Sequence, residues 1–333
     1  MKFPYLLALV INTLLFYGCS VALDNSQAQT FPSKPIVLVE PYPAGGVSAD
    51  IAKLVGESLA AHIKQAVLVE NLGGGSGAIA VQKVLDAPAD GHMLLQATPS
   101  ELVLVPFANK NIKFKSEDFR MVQFIANIPL VIVARKGLEA DNADELAMLA
   151  RRFAALGRPL VYGSSGLGSY NHVLGNHISK KMNAPMLHAP YLSAAQVVKG
   201  LIDEQIDIIV APYNEATIAL HTSGKVKFIA ALSAQRQPAI PNIAAVDEGV
   251  ALKGCHQSIW FAYFVKKDTP EPIVQVLHKA LSQTLGNAKM STTLVSKSSI
   301  VPPPLSLAEA SKKYTAEIVK FRAMAKSMRL DPQ

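Results

Sequence analysis

Two hydrophobic patterns alternate along this chain. Short, continuous apolar runs occur at Ile36-Val37-Leu38-Val39, Val67-Leu68-Val69, Met93-Leu94-Leu95 and Leu160-Val161-Tyr162. Such runs predict strands buried on both faces, as in a parallel sheet covered by helices, because a half-exposed strand would alternate apolar with polar residues. Between them the apolar positions recur at helical spacing. Ile51, Leu54, Val55, Leu59 and Ile63 form one stripe, and Val173, Leu174, Ile178 and Met182 form another. Further strands are expected over 226–232 and 259–265, and further helices over 272–285 and 307–328. On the last helix, Glu317, Lys320, Arg322 and Lys326 predict a solvated charged face. The pattern as a whole is that of an α/β protein.

The junctions from strand to helix carry the candidate chemistry. Pro41-Tyr42-Pro43-Ala44-Gly45-Gly46-Val47-Ser48 follows the first apolar run. Tyr162-Gly163-Ser164-Ser165-Gly166-Leu167-Gly168-Ser169 follows the fourth. Glycine permits a tight turn and a close approach of backbone to ligand. The helix behind each turn offers unpaired N–H groups and the positive end of its dipole, a combination that binds carboxylates and phosphates. Ser48 is expected to cap the first helix, with Asp50 in its first turn; Ser169 is expected to cap the second, with His172 one turn in. One such turn would be an ordinary loop of an α/β protein. Two, far apart in the chain, favour a pair of jaws closing on one small acid.

A third cluster, Gly73-Gly74-Gly75-Ser76-Gly77-Ala78, satisfies the loose dinucleotide spacing after a strand. That fingerprint also needs an acid near the end of the next strand to hold the ribose, and Met93-Leu94-Leu95-Gln96-Ala97 ends without one. The cluster therefore predicts a flexible connection. No P-loop lysine follows any of the three clusters. A hydrolase elbow, G-x-S-x-G, fails at Leu167, and no triad order supports it. His172 and His177 miss the i, i+4 metal spacing, and His188 lies in a loop-like stretch without evident metal partners. No metal and no cofactor are expected.

Length and composition set the bounds. The 333 residues, half of them hydrophobic, suffice for two packed domains. The net charge of +7 comes from scattered lysines without an aromatic-interleaved patch, so no nucleic-acid role is expected. A monomer is expected. Lys2 and the apolar stretch 5–18, too short to span a bilayer, predict a secretory signal within 1–28. Cleavage is open between sites after 18, 22 and 28. The first would leave Cys19 to carry lipid; the others would release the chain into the periplasm. Cys255 is the one cysteine certain to remain, which excludes a structural disulfide.

The order of the motifs resembles a known family. Phe31-Pro32-Ser33-Lys34-Pro35-Ile36 precedes the Pro43-Ala44-Gly45-Gly46 turn, then Val69-Glu70-Asn71 with its glycines, then Pro88-Ala89-Asp90-Gly91-His92. Tyr162-Gly163-Ser164, His188-Ala189-Pro190-Tyr191, Ser223-Gly224-Lys225-Val226, Ile240-Pro241-Asn242 and Trp260-Phe261 follow. From about residue 30 onward the chain resembles the substrate-binding proteins of tripartite tricarboxylate transporters, the Bug family. The resemblance implies a two-lobe type II periplasmic-binding-protein fold with crossover hinge strands that closes on its ligand. Residues 31–127 with 231–333 would form lobe 1, and 128–230 lobe 2, the chain crossing near Ile128-Pro129-Leu130-Val131-Ile132.

The implied function is non-enzymatic: capture of a small carboxylate and its delivery to the membrane subunits of a tripartite tricarboxylate-type transporter. A ligand sensor signalling to a membrane partner is the alternative. Carried over residue by residue, the ligand contacts are Tyr42, Ala44, Gly45, Gly46, Val47 and Ser48 from one turn, and Ser164, Ser165, Gly166, Gly168, Ser169 and His172 from the other. In the family pattern Thr98 would also face the cleft between them. The chain departs from the family pattern at Ala49, where an aspartate is usual and the acid moves to Asp50. It departs again at Ala211, where amino-acid binders can place an acid, so ligands without an ammonium group are expected to be preferred.

Overall fold

The computed structural model describes residues 31–238, 240–296 and 300–327. The signal-peptide reading and Cys19 lie outside them. Packing separates Met1–Ser33 from Lys34–Gln333. Of the first unit only 31–33 are described, without helix or strand; all that follows concerns the second.

The chain opens as β1 (Ile36–Glu40), α1 (Val47–Ile63), β2 (Val67–Asn71), α2 (Ala78–Asp86) and β3 (Met93–Ala97). The three strands run parallel with β1 in the middle. The predicted stripe on α1 is real: Ile51, Val55, Leu59 and Ile63 are buried. Each such side chain removed from water stabilises by about 1.5–3 kcal/mol. β2 differs from expectation. It is the outer strand of the sheet, none of its residues is fully buried, and Leu68 is exposed.

A π-helical turn (Ser100–Leu104) and α3 (Val105–Ala108) lead to β4 (Phe119–Arg135), the long strand of the molecule. Then come α4 (Ala143–Ala155), β5 (Val161–Ser164), α5 (Tyr170–Lys181), β6 (Leu187–Pro190), α6 (Ala194–Ile202), β7 (Ile208–Pro212), α7 (Glu215–Thr222) and β8 (Val226–Ala231). β9 (Ser258–Lys266), α8 (Glu271–Leu285), α9 (Ala288–Ser296) and α10 (Leu307–Ser327) complete the fold.

The sheet is mixed rather than wholly parallel. Its order is β2-β1-β3-β9-β4-β7-β5-β6, with β8 also on β4. β5 lies parallel to β6 and β7, whereas β4 and β9 run against their neighbours. Apolar runs alone cannot separate the two cases, because an antiparallel strand covered on both faces is equally apolar. β4 joins the halves. Phe119 to Pro129 pairs with β9, and from Leu130 onward the same strand pairs with β7 and β8. The change of partner falls between Pro129 and Leu130.

α10 is not simply a solvated helix. Glu317 accepts a hydrogen bond from the buried indole of Trp260 at 2.9 Å, and Arg322 makes paired contacts with Glu117 at 2.6 and 2.8 Å. Phe321 meets Tyr170 edge to face at 5.3 Å. A charged run on one helix face reads the same whether water or a neighbouring element takes the charges, and here part of it is taken.

Candidate functional site

The first glycine turn links β1 to α1. Gly46, extended at φ −103° and ψ 165°, is the N-cap, and no side chain among the described residues caps the helix. The helix begins at Val47, so Ser48 lies inside its first turn instead of capping it. Ser48 is otherwise occupied: its hydroxyl and carbonyl accept hydrogen bonds from the Gln96 amide at 3.0 and 2.8 Å. The first backbone N–H to find a helical partner is that of Asp50, bonded to the Gly46 carbonyl. The N–H groups of Val47, Ser48 and Ala49 thus keep the donor capacity that a helix start leaves over. Ala44, Gly45 and Gly46 are exposed; Tyr42, Val47 and Ser48 are half-buried. Asp50 is exposed in the first turn.

The second turn is built differently. Ser169 caps α5 as expected, accepting from the His172 N–H. The turn also bonds to itself. The Ser169 hydroxyl donates to the Gly166 carbonyl at 2.7 Å, and the Gly168 N–H donates to Nδ1 of His172 at 3.1 Å. That bond fixes His172 with a bare Nδ1. Ser164 is fully buried; its hydroxyl accepts from the Gly166 N–H and lies 2.7 Å from Nε2 of His188. His188 sits in β6, not in a loop, stacked between Tyr162 and His172. Burial, with His172 alongside, pushes the His188 imidazole down to about 4, so it is neutral at pH 7. Ser165 is half-buried on the rim.

The third glycine cluster is no loose connection. It forms a 3₁₀ turn, Gly75–Gly77, that touches both others. A β-carbon on Gly73 would stand 2.9 Å from Pro43, and one on Gly166 would stand 3.4 Å from the Ser76 hydroxyl. Gly77, at φ +91°, backs onto Glu101, whose Cγ would be 2.3 Å from any added β-carbon. The glycines here serve close approach, which the dinucleotide pattern mimics. A further bridge runs from the Tyr170 N–H at the start of α5 to the Ser100 hydroxyl at 3.3 Å. All three turns therefore meet at the C-terminal ends of parallel strands, where open α/β sheets bind ligands.

Beneath them lie two buried carboxyls. Glu101 receives the Tyr42 hydroxyl on one oxygen, and the N–H and hydroxyl of Thr98 on the other at 2.7 and 2.8 Å. Thr98 and Tyr42 thus turn their polar groups toward Glu101. Burial raises the Glu101 carboxyl, while its donors oppose that shift. Glu40, the last residue of β1, is also fully buried, and burial pushes it up to about 8. Among the described residues no cluster of three or more His, Cys, Asp or Glu could hold a metal ion, and no helix is long and apolar enough to cross a membrane.

Residues 51–319 match the family described as the tripartite tricarboxylate transporter family receptor. A UPF0065 protein from the TAR-I ttuE-ttuC′ intergenic region of Agrobacterium vitis is 30% identical over 308 residues, 89% of this chain and 85% of that protein. The chain belongs to the tripartite tricarboxylate transporter receptor family. The solved periplasmic binding protein BugD superposes with a TM-score of 0.80 at 26% identity, over 91% of this chain and all of BugD. Rpa4515 of R. palustris, solved with adipate, gives 0.81 at 25% identity over the same shares. The two-lobe α/β periplasmic-binding-protein fold expected from the resemblance is the fold observed.

Four residues around this candidate site go unread in the sequence. Ser76 reads as part of a flexible connection and His188 as part of a loop. Glu40 and Glu101 look like ordinary acids at the ends of apolar segments. The available signal was position: Glu40 closes an otherwise apolar central strand, where a charge is costly unless it is put to use.

Proposed function

We propose that this receptor captures a small carboxylate between its first and second glycine turns, without chemistry, and delivers it to the membrane subunits of a tripartite tricarboxylate-type transporter. The reading assumes export to the periplasm by the N-terminal segment. The observation that carries it is the uncapped start of α1: three adjacent N–H donors, on an exposed turn, opposite a second turn that is rigid by its own hydrogen bonds. A carboxylate supplies the missing acceptor. In the second turn Gly166 and Gly168 already spend their N–H groups internally, and the Ser164 and Ser169 hydroxyls are paired within the turn, so the Ser165 and Leu167 N–H groups and the Ser165 hydroxyl are the groups left to meet the ligand. The adipate held by Rpa4515 fits a ligand of this class.

Residues 31–127 with 231–333 act as one lobe and 128–230 as the other, hinged where β4 changes partner. The Ser164–His188 contact argues for structure over hydrolysis. A histidine near 4 is a weak base at pH 7, and the serine oxygen is buried and already accepting an N–H. The test is a thermal-shift screen of the secreted chain against di- and tricarboxylates and aromatic acids. A ligand at one hundred times its dissociation constant adds about 2.7 kcal/mol of stability. A panel in which no carboxylate shifts the transition, or in which one is turned over, contradicts the proposal.

A further inference from the structure

The first glycine turn rests on a row of polar side chains that crosses the sheet. Glu40 ends β1 and is bonded to Gln96 of the neighbouring β3 at 2.8 Å. Gln96 pairs in register with Tyr263 of β9, and Tyr263 with Gln123 of β4. All four are fully buried. Gln123 is satisfied by Ser282 and by the backbone of Phe124 and Leu305. The other three are not. Glu40 Oε1, Gln96 Oε1 and the Tyr263 hydroxyl have no hydrogen-bond partner. Buried polar atoms are rarely left so. An ionised Glu40 would bury a charge whose Oε1 has no hydrogen-bond partner, with no cation among the groups acting on it, and that is costly. A protonated Glu40 avoids that cost.

We infer that Glu40 carries a proton in the ligand-free protein, and that anion capture at the first glycine turn depends on that proton staying in place. The surroundings leave few alternatives. The titratable groups facing Glu40 are Glu101 behind the turn, Tyr42 within it and Tyr263 on β9. Glu101 adds like charge, and no cation is among the groups acting on Glu40. The Ser48 hydroxyl and the Tyr42 N–H favour the charged form, and burial outweighs them. Both tyrosines are held well above their ordinary range by burial, so neither is a source of charge. The link to ligand is short. The same Gln96 amide that bonds Glu40 also holds the carbonyl and hydroxyl of Ser48, in the first turn of α1. An anion on that turn raises the affinity of Glu40 for its proton, and reciprocally an ionised Glu40 weakens the anion.

This coupling rests on the reading of the first turn as the anion site, and the experiment separates the two. Infrared difference spectra of the ligand-free secreted chain report a protonated carboxyl directly. Calorimetry with succinate and adipate at pH 7 and about pH 9.5 reports the coupling. The expected result is a protonated-carboxyl band at pH 7 that disappears by about pH 9.5 and is missing from Glu40→Gln. Dicarboxylate affinity should fall roughly tenfold over the same interval in the wild type, with the ratio near one in Glu40→Gln. Absence of the band at pH 7, or an unchanged pH ratio in Glu40→Gln, overturns the inference. Failure of both acids to bind at either pH refutes the ligand reading and the coupling with it, while the band still reports the proton.

Discussion

At the scale of single residues, the site is defined by what is left unpaired and what is packed too closely to change. Glu40 makes a stability prediction independent of any ligand. Its carboxyl sits near 8 in the folded chain and in the ordinary range when unfolded. Between those values the folded state holds a proton that the unfolded state has released, so stability falls as pH rises through that window. Glu40→Gln should remove this slope and be more stable than wild type at pH 7, on the order of 3 kcal/mol. Urea unfolding at pH 5 and pH 8.5 checks it: parallel pH dependence in the two proteins would place the proton elsewhere. His188 works on the other side. Its imidazole is depressed to about 4, so the unfolded chain binds the extra proton and stability falls as pH drops from the ordinary histidine range toward 4. Gly77→Ala meets Glu101 at 2.3 Å and a positive φ at once. It should cost about 1–3 kcal/mol, read from the urea midpoint, and an unchanged midpoint would mean that the packing of the third turn has been misread.

At the scale of elements, the two helices behind the glycine turns start in opposite ways, and this difference is measurable. Ser169→Ala removes a true N-cap and should lower stability by about 1 kcal/mol. Ser48→Ala removes no cap, so its cost should lie in the Gln96 contact and in the ligand. Equal helix loss in the two variants, by circular dichroism, would contradict the contrast. Much of this level was legible in the sequence. The Ile51-to-Ile63 stripe, the Ser169 cap and the strand-turn-helix character of both jaws follow from periodicity and turn chemistry, which are local. What failed was non-local. Ser48 reads as a cap until Gln96, 48 positions on, is seen to hold it. The cluster at 73–77 reads as slack until its neighbours show why each glycine lacks a side chain. Val67-Leu68-Val69 reads as a buried strand because its place at the edge of the sheet is not written in its own residues. Arg322 and Glu317 read as solvated because their partners, Glu117 and Trp260, lie 205 and 57 positions away.

At the scale of the whole molecule, β4 and β9 tie together two halves that meet through Ser76 against Gly166 and through Tyr170 on Ser100. Tyr170 also meets Phe321 edge to face at 5.3 Å, so the halves share apolar as well as polar contacts; if they close as proposed, ligand decides their state. Small-angle scattering should show a smaller radius of gyration with bound dicarboxylate than without; identical curves at saturation would argue against a moving pair of lobes. Ligand choice belongs to this scale as well. With Ala211 in place of an acid, succinate should compete better than aspartate, and the reverse order in direct competition would refute the inference from Ala211. The central claim is that backbone N–H groups at the start of α1 hold a carboxylate. Val47→Pro tests it most directly, because proline at the first helical position keeps the helix and the extended Gly46 before it, yet deletes one of the three donors. Isothermal titration of the best dicarboxylate should give one site of about −8 kcal/mol, the micromolar range, in the wild type, and at least roughly tenfold weaker binding in Val47→Pro with its circular dichroism unchanged. Equal affinity in the two proteins would contradict the account.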